Sequence, residues 1–115
     1  MTQIACDGWW EQGGLGRQMM NRLELRFNGA AITGSGEDVV GAFTLLGTVE
    51  GASVVLLKRY VGQHYVDYFG AYDGEGTMHG DWEIDGMKGP WVIKMLRPIS
   101  TTVDEIREIG VGLGQ

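Results

Sequence analysis

A chain of 115 residues with a formal net charge of −6 and a single cysteine excludes several classes of protein at once. Its nine Lys and Arg residues are scattered and form no basic stripe, so neither nucleic acid nor an acidic membrane surface is expected as a partner. One cysteine forbids an intramolecular disulfide and a cysteine zinc site within the chain, while 20 glycines against two prolines indicate many short strands joined by tight turns.

Asp7 to Gln12 reads as a short strand carrying adjacent tryptophans, of which only one of Trp9 and Trp10 can face inward. Gly13, Gly14 and Gly16 break the chain. From Met19 to Phe27 the pattern alternates, with Met19, Leu23, Leu25 and Phe27 on one face and Arg22, Glu24 and Arg26 on the other. Asn28-Gly29 is a hairpin signal that returns into Ala30 to Gly34. Gly36-Glu37-Asp38 reads as a turn, and Val39 to Glu50 follows as a longer strand. Internal Gly41 and Gly47 suit the bends that barrel closure requires.

Glu50-Gly51 turns into Ala52 to Tyr60, and a turn at Gly62 leads into the strand ending at Tyr72. After Asp73-Gly74, Thr77 to Ile84 sets Met78, Gly80, Trp82 and Ile84 against His79, Asp81 and Glu83. Pro90 to Leu96 is the last strand, ended by Pro98. Thr102-Val103-Asp104-Glu105 has the spacing of a helix capping box, and Val103, Ile106 and Ile109 share a side. The expectation is therefore one all-β domain over residues 1–115: an eight-stranded antiparallel up-and-down barrel spanning about 7–97, with a short C-terminal helix over about 102–109. No apolar segment of signal-peptide length precedes Cys6, and the expected location is cytoplasmic.

Two stretches carry a resemblance. Gly8-Trp9-Trp10-Glu11-Gln12 is similar to the glycine-tryptophan strand that opens calycin-type barrels, the avidin-like and lipocalin-like proteins. Leu25-x-Phe27-x-Gly29-x-x-Ile32-x-Gly34 resembles the hairpin between the second and third strands of the avidin-like members. The resemblance implies a barrel with a cavity open at one end. It does not extend to biotin, because glycines stand where polar residues would follow the first strand.

The chemistry concentrates in Leu56 to Tyr72, which holds all four tyrosines. Lys58, Tyr60, His64 and Tyr68 are separated by even numbers of residues. A three-residue turn, Val61 to Gln63, pairs Tyr60 with His64 and places all four on one face; a two-residue turn sends His64 to the opposite side. The longer turn is preferred because Val66 then joins the inner face. An inward set of one lysine, one histidine and two phenols suits a planar or carbonyl-bearing ligand; an outward Lys58 and His64 would leave the tyrosines as plain packing. Trp10, Trp82 and Trp91 can ring a cavity mouth or fill the core.

The function expected from these residues is binding of a small apolar or aromatic ligand in the barrel interior. Its ligand-binding residues are Trp10, Lys58, Tyr60, His64, Tyr68 and Trp82, with no catalytic residue, metal ligand or cofactor. Two other readings stay open: a small-barrel enzyme of cyclase or isomerase type, and a protein-interaction or regulatory module. Outward Leu46, Leu57 or Tyr65 would leave an apolar patch on one wall, a route to a homo-oligomer.

Overall fold

A computed structural model describes residues 2–101 of the chain. Eight strands follow in order: β1 (Thr2–Gln12), β2 (Gly16–Asn28), β3 (Ala31–Glu37), β4 (Ala42–Glu50), β5 (Ser53–Tyr60), β6 (Tyr65–Tyr72), β7 (Thr77–Ile84) and β8 (Met87–Thr101). Each pairs antiparallel with the next, and β8 pairs with β1, closing the barrel. The chain is thus an all-β, eight-stranded up-and-down barrel. The short turns dictate the meander, since two to four residues can return a strand only to its immediate neighbour. Closure leaves no sheet edge running the length of the barrel. The helix expected over 102–109 lies outside the described residues.

Alternation fills the interior. Leu25, Ile32, Leu45, Leu56, Trp91 and Ile93 are all but fully buried midway along the barrel. Each such side chain contributes about 1.5–3 kcal/mol relative to exposure. Gly70 and Gly80 face each other across β6 and β7. A Cβ on either would run into the opposing backbone, and one on Gly70 would also press on the Trp91 ring. Gly70 thus makes room for the indole, whose Nε1 donates to the Phe69 carbonyl at 3.2 Å.

Several strand bounds differ from the sequence pattern, with Val39, Val40 and Gly41 in the β3–β4 turn instead of β4, and three further differences carry a physical reason. In β2 the inward residue is Met20, 3% exposed, while Met19 is 49% exposed on the outside. The register slips by one residue here against both β1 and β3, and Arg22 takes a positive φ of 53°. This bulge reverses the alternation N-terminal to it, so Leu23, Leu25 and Phe27 keep the expected face and Met19 does not. The first strand begins at Thr2, not Asp7. The last runs through Pro98 to Thr101, because β8 has parted from β7 beyond Lys94 and has only β1 as a neighbour there. The missing proline N–H therefore costs no bond on the β7 side, and register shifts in β1 flank the position.

Candidate functional site

The barrel end that carries the turns after β1, β3, β5 and β7 gathers the polar interior. The turn between β5 and β6 decides its composition. Arg59 pairs with Tyr65, and Tyr60 N donates to the His64 carbonyl at 3.0 Å, so the loop is Val61, Gly62 and Gln63. Gly62 supplies the positive φ, 72°, that this turn needs. With three residues in the turn, Lys58, Tyr60, Val66 and Tyr68 all face inward, and His64 stands exposed at the rim with its ring 5.1 Å from that of Tyr60.

Lys58 is only 1% exposed, and its partner is Asp38. Asp38 arrives from the β3–β4 turn, where it and Gly41 exchange both backbone hydrogen bonds around Val39-Val40. Its side chain is fully buried. Three donors from three strand positions converge on Asp38 Oδ2: Lys58 Nζ at 2.7 Å, the Tyr60 hydroxyl at 2.8 Å and Trp10 Nε1 at 3.0 Å. Oδ1 accepts the Val40 backbone N–H at 2.9 Å. Lys58 also donates to the Tyr68 hydroxyl oxygen at 3.2 Å, and its ammonium lies 4.2 Å from the Phe43 ring centroid and 4.8 Å from that of Tyr60. An ammonium against ring faces keeps part of the electrostatic stabilisation it loses on leaving water.

The electrostatics follow from burial set against pairing. Burial pulls the Lys58 amine down to about 8, outweighing the attraction of Asp38, and the group is still an ammonium at neutral pH. Burial alone would raise the Asp38 carboxyl, but the Lys58 hydrogen bond and charge, with the Tyr60 hydroxyl and the Val40 N–H, hold it below the usual range. Burial pushes both the Tyr60 and Tyr68 phenols up, and the Asp38 charge pushes them further, so both stay protonated donors. A charge-neutral, fully bonded pair results, of the kind whose value lies in geometry more than in net stability.

Above the pair lies a partly enclosed cavity of about 260 Å³. Trp10, Tyr60, His64, Tyr68 and Trp82 line it, together with Gln12, Val40, Val66, Ile84 and Met87. Trp10 and Trp82 meet edge to face, 6.1 Å between centroids, and Trp82 Nε1 donates to the Glu11 carbonyl at 2.8 Å, which fixes that wall. Lys58 sits behind the lining, reached through Tyr60, Tyr68 and Trp10. The structure therefore brings the six residues singled out from sequence to one end of the barrel, five on the cavity wall and one beneath it. Trp91 lies instead in the packed middle, 5.2 Å from the Tyr68 ring.

Asp38 was missed by sequence reasoning, which assigned it to a surface turn. A signal was present: continuing the inward phase of Ile32, Gly34 and Gly36 reaches Asp38. His79, Asp81 and Glu83 are exposed on the outer wall, and among the described residues no three metal-ligating side chains gather into a group that could hold an ion. Cys6 is buried against the core, and burial raises its thiol to about 12, which keeps it unreactive. No helix among the described residues is long and apolar enough to cross a membrane.

The opposite end holds a second hollow of about 440 Å³, lined by Ile4, Phe27, Val49, Tyr72, Met78 and Met95 with Thr2 and Gly51 at its edge. Among the described residues no charged side chain enters this wall. Compared with protein-family models, curated proteins and solved structures, the chain matches none of them.

Proposed function

We propose that the protein binds a small, uncharged aromatic or apolar molecule in the cavity at the Lys58 end. The observation that carries this reading is an aromatic cavity backed by an ion pair that cancels its own charge. A ligand entering there meets the faces and edges of Trp10, Tyr60, Tyr68 and Trp82, and among the described residues it finds no uncompensated cation to hold an anion. The volume suits a ligand of about one ring. This use of a barrel end agrees with the calycin-type likeness of the Gly8–Gln12 strand. Binding is favoured over a cyclase or isomerase activity because Lys58 lies behind the lining, committed to Asp38 and Tyr68, and the Asp38 carboxylate already takes four donors.

Isothermal calorimetry with toluene and phenol tests the reading. Binding to the native protein should be lost in Val66→Phe, which fills this cavity, and kept in Val49→Phe, which fills the opposite hollow. No binding by the native protein, or loss only in Val49→Phe, would overturn it.

A second reading, self-association, rests on the outer wall of β4 to β6. Leu46, 60% exposed, lies opposite Leu57, and Val55 lies opposite Phe69, each of these last two 46% exposed. Arg59 and Asp67 stand on the same wall, and a two-fold axis running between them sets each against its opposite charge on a second copy. Light scattering should show a dimer that Leu46→Glu dissociates; a monomer at all concentrations would sink this reading.

A further inference from the structure

Among the described residues one buried hydrogen-bond donor at the cavity is left over. Tyr68 is 1% exposed, lines the cavity, and packs its ring against Trp91. Its hydroxyl oxygen accepts from Lys58 Nζ, so the O–H points away from the ammonium. Its own O–H meets no acceptor among the described residues. Tyr60 differs: its O–H is already donated to Asp38. The ammonium behind Tyr68 also withdraws electron density from the phenol oxygen, and so strengthens the O–H as a donor. The cavity is the side from which an acceptor can reach it.

We propose that the Tyr68 hydroxyl is the specificity-determining contact, and that the preferred ligand is a neutral aromatic compound carrying a carbonyl oxygen, an aryl ketone or aldehyde. This rests on the binding function proposed above and narrows its ligand class. The ion pair sets the polarity of the contact. With Lys58 protonated, Tyr68 accepts from the amine and can donate only toward the cavity. With Lys58 neutral, the amine lone pair can accept the Tyr68 O–H in a hydrogen bond, and the cavity loses its one buried donor. The titratable groups around Lys58 are Asp38 on the β3–β4 turn, Tyr60 on β5 and Tyr68 on β6, with His64 beyond Tyr60 at the rim. Asp38 and the two phenols do not change charge between pH 6 and 9, which leaves Lys58 as the switch among them.

Acetophenone and cumene, alike in shape but different in having a carbonyl, separate the contact from simple burial. In calorimetry at pH 7 the native protein should bind acetophenone about three- to tenfold more tightly than cumene. The bound ketone's C=O stretch should move to lower frequency than in hexane. In Tyr68→Phe the order should reverse in favour of cumene, because the ketone would bury its carbonyl without a donor, and the stretch should be unshifted. Raising the pH from 7 to 9 should remove the native preference for the ketone and leave cumene affinity unchanged. His64→Gln should keep that pH response, which rules out the rim imidazole as its source. Equal binding of the two ligands by the native protein, or a ketone preference that survives Tyr68→Phe, would overturn the Tyr68 assignment while leaving the binding function standing. Failure of both ligands to bind the native protein would remove the binding function and the assignment together.

Discussion

The two ends of this barrel are built from the same strands and solve the same problem in opposite ways. At the end lined by Ile4, Phe27, Val49, Met78 and Met95, the interior stops in an apolar hollow. At the other, the barrel swallows a lysine and an aspartate, and every buried polar side-chain atom among the described residues has at least one hydrogen-bond partner. The apolar end gains from burial wherever a side chain lands. The polar end works only if Lys58, Asp38, Tyr60 and Trp10 meet within tenths of an ångström, because each unmet charge would cost far more than a misplaced methyl. Geometry is thus specified much more tightly at one end than at the other.

Breaking that contrast starts with Lys58→Met. It strands the Asp38 carboxylate among aromatic rings with its counter-ion gone, and urea unfolding should show a loss of roughly 3–5 kcal/mol. Adding Asp38→Leu to the same chain should recover most of that loss, since the two charges are then removed together; a double mutant as unstable as the sum of the singles would show that the residues do not act as a pair. At the other end Met78→Ala, fully buried beside the hollow, should cost about 2–3 kcal/mol, the low side of such deletions, because the space it leaves joins one already present.

Titration separates the ends next. The Asp38 carboxyl is lowered in the folded state, so its contribution is present above the ordinary carboxyl range and is lost as pH falls through the folded value. The Lys58 amine is also lowered, from 10.5 to about 8. The unfolded chain therefore binds more protons between those values, and stability should rise as pH climbs through that window, by a few kcal/mol at most. Above about 10 the raised phenols of Tyr60 and Tyr68 oppose this, because the unfolded chain ionises first and the native state is penalised. Urea midpoints from pH 6 to 10 should show the rise in the native protein and none in Lys58→Met. The smallest effect is Tyr68→Phe, which removes one acceptor from Lys58 and should cost about 1 kcal/mol in the same assay.

Much of this was legible because strand periodicity is local. Met78 and Trp82 on β7, and Leu23, Leu25 and Phe27 on β2, take the face their spacing implies. The exceptions share a cause. Met19 lands outside because a bulge at Arg22 inserts one residue, and nothing in the residue types at 20–22 announces it. Pro98 continues a strand because its free side has no partner, a fact about β7 more than about proline. Asp38 looked like turn chemistry, and it is also at a turn; only its phase along β3 hints that it points inward.

The sequence by itself determined the closed meander and the inward face of the β5–β6 hairpin once its turn holds three residues, because turn signals and alternation act between neighbours. Tertiary structure alone decided that Lys58 would meet Asp38, 20 residues away and across β4. Spacing cannot express that meeting. It follows from bringing the β3–β4 turn over a closed barrel, where a buried ammonium has to find a carboxylate or give up its charge.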